Sequence, residues 1–342
     1  MASFEIVRTD DPSAYRGQIL RLWEKNLPGT PAERFEWMRE GNPAGPTTWF
    51  LAFEEGSGEI AGTLTIMPRR LYRGGRQYMA GIMGDFMVDA AHRVFGPNLM
   101  LVRAALNSLG DLGLSFIYTV PNESSRKVTE HVGVRYVTAL DCWARPLDYG
   151  FYLRKRLPAP VASLLSPAAG AAFRISSRET WMSFAGEVEE TPDIGKDFEG
   201  YWERLRDGAE MLTGERSAAY LRWRYQANPL YRFRFLACRK RGSGEMSGFT
   251  VFCTREENKL DVYDLQADDG GSFDALVRAL IEAGRAMRSQ AVYIIAPRWS
   301  SSLARLGKFR FLDTKDTLQL GFFGGQDLSL EEWHFMSGDR NI

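Results

Sequence analysis

Net charge is the first thing this chain lacks: Lys+Arg and Asp+Glu number 43 each. The basic excess that marks a nucleic-acid partner is absent, and no such partner is expected. Histidine and cysteine are scarce, three of each. Cys142, Cys238 and Cys253 are widely spaced, form no CxxC and stand apart from His92, His131 and His334. That argues against a disulfide framework and a zinc site, so no metal is expected. No apolar run approaches the roughly 20 residues of a membrane span. The opening MASFEIVRTDD alternates apolar and polar residues and carries early charge, the pattern of a first strand rather than a signal peptide. A cytoplasmic location is expected.

What the chain does have is material for two cores. It holds 342 residues, 44% of them hydrophobic, whereas single cores stop growing near roughly 250 residues. It also resembles itself. FEWMREGNP (35–43) matches LRWRYQANP (221–229), and GSGEIAG (56–62) matches GSGEMSG (242–248) at the same offset of 186 residues. LVRAAL (101–106) then matches LVRALI (276–281), and FIYTVPN (116–122) matches VYIIAPR (292–298). Four matches in one order indicate duplication. Each copy reads as a helix carrying a Trp (Trp37, Trp223), a hairpin turning on GSGE, a long amphipathic helix, an apolar strand and a short helix ending at Gly. The first long helix is expected from the spacing of Leu101, Ala105, Leu109 and Leu112. The two tryptophans are read as core anchors.

The expected domains are 1–145 and 206–342, joined by 146–205. Within the junction, RKRLPAPVASLLSPAAGAAF (154–173) sets a basic cluster before an uncharged Ala/Pro/Leu run. It reads either as a membrane-surface contact or as a linker packed over the domain junction; its prolines weigh against a long helix. RLYRGGRQY (70–78) reads either as a basic face for an anionic substrate such as a nucleotide sugar or as a solvated hairpin.

VDAAHRVFGPN (88–98) supplies a Gly/Pro turn between a strand and the first copy's long helix, a context in which backbone N–H groups converge on a phosphate. On the preceding strand, Phe86 and Val88 share one face and Asp85 and Met87 the other. A carboxylate is thus expected beside the tail of a phosphate-anchored ligand. The second copy has DDGGSFD (268–274) at the same place, with no Arg and extra acids, which disfavours pyrophosphate. Asp264 matches Asp85, so a shared structural role stands beside a catalytic one.

The turn resembles motif A of the GNAT acyltransferases, V-x-P-x-x-(R/Q)-x-x-G-x-(G/A). Val88, Arg93 and Gly96 match, Ala90 replaces the Pro, and Asn98 stands at the last small position. VPNESSRKVTEHVGVRY resembles the motif that follows, through Asn122, Ser125 and Gly133, with Tyr136 near the aromatic position. The chain as a whole resembles a tandem GNAT protein whose first copy is active. The resemblance implies an α/β fold of two tandem units, each a mixed, mostly antiparallel twisted sheet flanked by helices, with parallel strands splayed around Met87 and Ile117. It implies acetyl-CoA or another acyl-CoA as cosubstrate and transfer to a small-molecule amine or amino sugar. Coenzyme would lie along Phe86, Met87 and Val88, with Arg93 and the amides of Val94, Phe95, Gly96, Asn98 and Leu99 on its pyrophosphate. Asn122 and Ser125 would face its pantetheine. Asp85 is the candidate base. The position where the family carries its acidic Tyr holds Thr129, leaving Tyr118, Tyr136 or water to protonate the thiolate. The rival readings are a Fem-type aminoacyl transferase using aminoacyl-tRNA, and a tandem-GNAT binding or regulatory module without catalysis.

Overall fold

The computed structural model describes residues 3–92, 96–154, 156–181, 186–255, 258–325 and 332–341. The first copy runs β1 (Phe4–Thr9), α1 (Arg16–Asn26), α2 (Glu33–Arg39), β2 (Thr48–Glu54), β3 (Ile60–Arg73), β4 (Arg76–Val88), α3 (Pro97–Asn107), β5 (Phe116–Thr119), α4 (Glu123–His131) and β6 (Arg135–Pro146). Three helices follow: α5 (Tyr149–Arg154), α6 (Ala159–Ile175) and α7 (Arg178–Trp181). The second copy opens with β7 (Gly186–Glu190), α8 (Lys196–Asp207), β8 (Leu212–Gly214) and α9 (Ala218–Leu221), which passes into a π-helical turn at Arg222–Gln226. It continues through β9 (Arg234–Lys240), β10 (Met246–Arg255), β11 (Lys259–Ala267), α10 (Gly270–Ala286), β12 (Ala291–Pro297), α11 (Ser302–Lys308), β13 (Leu312–Gly324) and β14 (Trp333–His334).

The duplication is visible in the sheet, whose order is β1-β2-β3-β4-β5-β13-β6-β12-β11-β10-β9-β7. It reads as a palindrome about the β13–β6 pair. Each copy gives a strand to the other: β6 lies antiparallel to β12, from Pro146 opposite Ala291 to Leu140 opposite Pro297, and β13 lies antiparallel to β5. The only parallel pairs among the described residues are β4–β5, β11–β12 and the short β8–β14. One sheet, mostly antiparallel, therefore runs through both units. Helix α3 covers one face of the first copy through Leu101, Val102 and Ala105, and α10 covers the second through Leu276, Leu280 and Ile281.

Local chemistry repeats too. Both GSGE turns join their hairpins with glycines in the left-handed region, Gly56 (φ 94°) and Gly58 (φ 68°) in one, Gly242 (φ 88°) and Gly244 (φ 69°) in the other. A side chain would be strained at each. The two long helices differ. Helix α3 ends at Asn107, short of the expected Leu109 and Leu112, where the Ser108 hydroxyl donates back to the Ala105 carbonyl at 2.7 Å. Leu109 and Leu112 still pack against the same core from the turn that follows. Contrary to expectation, Pro167 does not prevent a 17-residue α6.

The two copies lock together at the repeated tryptophans. The Trp37 Nε1–H donates to the Trp223 carbonyl at 2.8 Å, and the Trp223 Nε1–H donates to the Trp37 carbonyl at 3.1 Å. Their rings stack with centroids 5.1 Å apart and planes 11° from parallel. Residues 186 apart thus satisfy each other, and the core anchors expected from the repeat are a single joint between its halves.

The C-terminal segment is a second tie. The buried Asp339 carboxylate sits between Arg69 of β3 and Arg216 of the second copy, with Arg216 Nη2 at 2.8 Å. Burial alone would raise its pKa, but the two guanidiniums hold it down to about 2. Asn341 Nδ2 donates to Asp85 Oδ2 at 3.0 Å, and the Tyr118 hydroxyl donates to the Asp339 carbonyl at 2.7 Å.

Two outcomes follow for stability. Replacing Trp37 or Trp223 by Ala removes a stacked ring and orphans a carbonyl, and urea unfolding is expected to show a loss of roughly 3–5 kcal/mol. An Asp ionises near 3.9 in an unfolded chain, above its folded value. Asp339 therefore stabilises fully above about pH 4 and loses that contribution as pH falls toward about 2. Unfolding midpoints measured across this window should fall more steeply for the native protein than for Asp339→Asn, which is already weakened at neutral pH.

Candidate active site

Strands β4 and β5 pair only from Ala80 opposite Phe116 to Ile82 opposite Tyr118. Beyond that point β4 runs on to Val88 while β5 stops at Thr119, so a wedge opens between two parallel strands. Ile117 is still paired, with Gly81, and the opening starts just after Tyr118. A bulge helps to make it. On β4, Asp85 and Phe86 together stand against one residue of β3, where the register shifts between Thr63 and Thr65, and Asp85 takes a left-handed backbone with φ 46°. Bulges of this kind re-aim side chains at functional edges.

Asp85 is buried. Its Oδ1 accepts from Arg34 Nη1 at 2.5 Å, while Oδ2 accepts from Asn341 and, at 3.4 Å, from Thr65 Oγ1. Met87 lies on the same face among the core of α1 and α2, whereas Phe86 and Val88 face α3. The chain leaving β4 leads to the N-terminus of α3, where Gly96 lies against the Phe4 ring of β1. Gly96 is its cap residue at φ 103°, with no side-chain cap bond, and Pro97 occupies the first turn. Asn98 and Leu99 are half-buried there. Arg93, Val94 and Phe95 lie outside the described residues.

On the other side of the wedge, Asn122 caps α4, its Oδ1 accepting the Ser125 amide at 2.9 Å. Thr129 is buried; its hydroxyl lies 3.0 Å from the carbonyls of both Ser125 and Arg126, and 2.6 Å from the Tyr136 hydroxyl. With the Thr129 proton committed to a helix carbonyl, Tyr136 is the donor to the Thr129 oxygen. The Tyr136 ring lies over Gly321, where an added Cβ would meet its Cε1 at 2.7 Å. Burial raises the Tyr136 pKa, so the phenol keeps its proton at neutral pH. Tyr118 is more deeply enclosed: Trp333 packs edge-on against its ring at 4.8 Å, its hydroxyl is spent on Asp339, and burial pushes its pKa far up.

The second copy repeats the wedge with different chemistry. Strands β11 and β12 pair only from Leu260 opposite Val292 to Val262 opposite Ile294. A cavity of about 610 Å³ opens there, bounded by Leu265, Phe273, Ile294, Trp299 and tail residues including His334 and Phe335. Asp264, like Asp85, is ion-paired, with Arg216 Nε at 3.0 Å. The N-terminus of α10 is closed by its own side chain: Asp269 Oδ1 accepts from the amides of Gly271 (2.7 Å) and Ser272 (2.8 Å). A carboxylate thus occupies the place where a phosphate would sit.

Sequence reasoning missed the groups that line the first wedge from afar, namely Arg34, Arg69, Asp339 and Asn341. The available signal was an arginine beside the repeated aromatic segment and charge within an otherwise apolar tail. The hairpin at 70–78 spends Arg70 on Glu215 at 3.2 Å and Arg73 on Glu332, so both arginines are paired within the chain. No cluster of metal-ligating side chains occurs among the described residues.

No family model matches this sequence, and no curated protein is detectably similar to it. Solved structures are. A conserved protein of Enterococcus faecalis described as a probable N-acyltransferase aligns with a TM-score of 0.67 at 10% identity, over 96% of this chain and 74% of that one. N-myristoyltransferase of Saccharomyces cerevisiae with bound myristoyl-CoA aligns with a TM-score of 0.60 at 11% identity, over 94% and 83%. A tandem GNAT protein of the clavulanic acid biosynthesis pathway aligns with a TM-score of 0.58 at 13% identity, over 94% and 99%. Together with the palindromic sheet and its two wedges, these likenesses establish that the chain has the fold of a tandem GNAT protein.

Proposed function

We propose that the chain is an acyl-CoA-dependent N-acyltransferase working at the wedge of the first copy, with a small amine or amino sugar as acceptor. The observation that carries this reading is the contrast between the N-termini of the two helices that follow β4 and β11. Helix α3 starts at a glycine with no side-chain cap, whereas α10 starts on its own Asp269. An uncapped helix N-terminus with a small residue attracts phosphate. One already holding a tethered carboxylate repels it. The residues of the first wedge therefore fit a coenzyme: Gly96, Asn98 and Leu99 beneath a pyrophosphate, Val88 and Met87 along the arm, and α4 from Asn122 and Ser125 on the other side. Arg93, Val94 and Phe95 enter the proposal on the sequence motif alone.

The coenzyme supplies an activated thioester. Amine nitrogen bonds to the acyl carbon, the C–S bond breaks, and the sulfur takes a proton as the amine loses one. Holding the two reactants together supplies most of the acceleration. Asp85 is the proposed base, acting through a water, because Arg34, Thr65 and Asn341 already occupy its oxygens. Tyr136 is the proposed acid: its half-buried phenol reaches Thr129, the α4 position where the family carries its Tyr, and exchanges that hydroxyl partner for the thiolate, whereas Tyr118 is fully buried beneath the tail.

Calorimetry with acetyl-CoA and longer acyl-CoAs tests the reading. Binding should be lost in Gly96→Asp, which gives α3 the kind of acidic cap that α10 has, and kept in Asp269→Asn. Absence of binding in the native protein would favour a non-catalytic module. In an acyl-transfer assay, Tyr136→Phe should lower kcat by about 100-fold, the low end for a positioned proton donor, with KM for acyl-CoA little changed. An unchanged kcat would remove Tyr136 from the chemistry. Asp85→Asn should lower kcat with KM for acyl-CoA little changed. Because Arg34 is then unneutralised, Arg34→Gln/Asp85→Asn, matched for stability, separates loss of a base from loss of folding.

A further inference from the structure

The connection between the copies carries an apolar surface that the fold does not use. Of the nine exposed large hydrophobic side chains among the described residues, five lie between 161 and 181: Val161, Leu164, Leu165, Ile175 and Trp181. Such residues scattered singly need no explanation; a cluster does. Leu164 is 79% exposed, Trp181 70% and Ile175 60%.

Helix α6 is also inverted. Its outward stripe runs Val161, Leu164, Leu165, Ala168, Ala172 and Ile175, the i, i+3, i+4, i+7 spacing that normally faces a core. The inward face is held by smaller groups. Ala162 is fully buried, Tyr149 packs over Gly170, and its ring contacts Phe173 with centroids 5.0 Å apart. The anchoring is completed by α7, where Glu179 is ion-paired with both Arg145 and Arg285. So α6 is docked through Ala162, Gly170 and Phe173 and presents valine, leucine and isoleucine to solvent.

Charge identifies what covers it. No Asp or Glu occurs between Asp148 and Glu179, and Glu179 is consumed in its buried pairs. Arg154, 3.8 Å from the Asp148 carboxylate, and Arg156 are exposed before the helix, and Arg174 at its end. A helix of 17 residues is roughly 25 Å long, short of the roughly 30 Å hydrocarbon core, and no helix among the described residues is long and apolar enough to cross a membrane. An uncharged apolar stripe with cationic ends is the pattern of a helix lying in a bilayer surface.

We propose that α6 and α7 form a docking face for an anionic membrane, with α6 lying in the plane of the interface and Arg154, Arg156 and Arg174 on the lipid phosphates. This face belongs to neither wedge, so it stands or falls separately from the acyl-transfer reading.

Co-flotation of the full chain with vesicles tests it. Phosphatidylcholine vesicles containing phosphatidylglycerol should bind the protein at least about tenfold more strongly than phosphatidylcholine alone, and added salt should weaken that binding. Leu164→Asp with Ile175→Asp should abolish binding; both positions are exposed, so the circular dichroism spectrum and acyl-CoA binding should be unaltered. Arg154→Gln with Arg174→Gln should reduce binding to the level of the neutral vesicles. Failure to bind either vesicle would overturn the proposal, as would equal binding to both. A dimer in solution that dissociates in Leu164→Asp, without vesicle binding, would assign the face to a second copy instead.

Discussion

The Asp339 carboxylate is the group around which both halves of this protein close. Four buried charges surround it: Arg69 from the first copy, and Arg216, Arg224 and Asp264 from the second. Burying an isolated ion costs several kcal/mol, so these groups persist only as a set. Asp339 and Asp264 neutralise two of the three guanidiniums. Arg224 has no carboxylate of its own. It donates to the carbonyls of Gly338 and Arg340 and lies over the rings of Trp37 and Trp223, 5.7 and 5.9 Å from their centroids. Burial lowers its pKa to about 10, still far above neutrality. The excess positive charge is thus held by tail carbonyls and indole faces, and the tryptophan joint and the tail become one structure.

That arrangement explains what could be read from the sequence and what could not. The duplication was legible because each copy keeps its turn chemistry and its apolar periodicity, which are local properties. GSGE recurs because a two-glycine hairpin demands it, and LVRAAL and LVRALI recur because each must cover a sheet. The exchange of β6 and β13 was not legible. An apolar strand of that length satisfies either sheet equally well, and the choice is made by partners far away in the chain, Leu140 opposite Pro297 for instance. The tail was illegible for the same reason. Asp339 finds Arg69 at a separation of 270 residues, and the charge within WHFMSGDRN does not say which distant arginine meets it.

The candidate site was legible in part. The turn at 88–98, the strand face carrying Asp85, and the difference between the two copies all came from short motifs, and the contrast in helix capping has its cause in single residues, Gly96 and Asp269. Thr129 is different. At the level of spacing it is a lost tyrosine. In three dimensions a tyrosine from the next strand reaches the same spot, because Gly321 on the strand received from the other copy leaves room for its ring. A residue of the second copy thereby shapes the proposed chemistry of the first, a dependence that no scan confined to residues 1–145 could have found.

The two wedges also share a wall. Tail residues 333–336 border the cavity between β11 and β12, and only a few residues further on Asp339 receives the Tyr118 hydroxyl and Asn341 reaches Asp85 beside the other wedge. Trp333 itself packs on Tyr118, Phe116 and Phe322, the aromatic layer beneath β5 and β13. A Cβ added at Gly84 would run into the Asn341 side chain. The tail therefore cannot be regarded as an appendage of the second copy: it completes the floor of the first wedge and the side of the second. The first wedge still needs both copies, because the sister unit supplies the strand whose Gly321 makes room for the Tyr136 ring and the tail whose Asn341 binds Asp85.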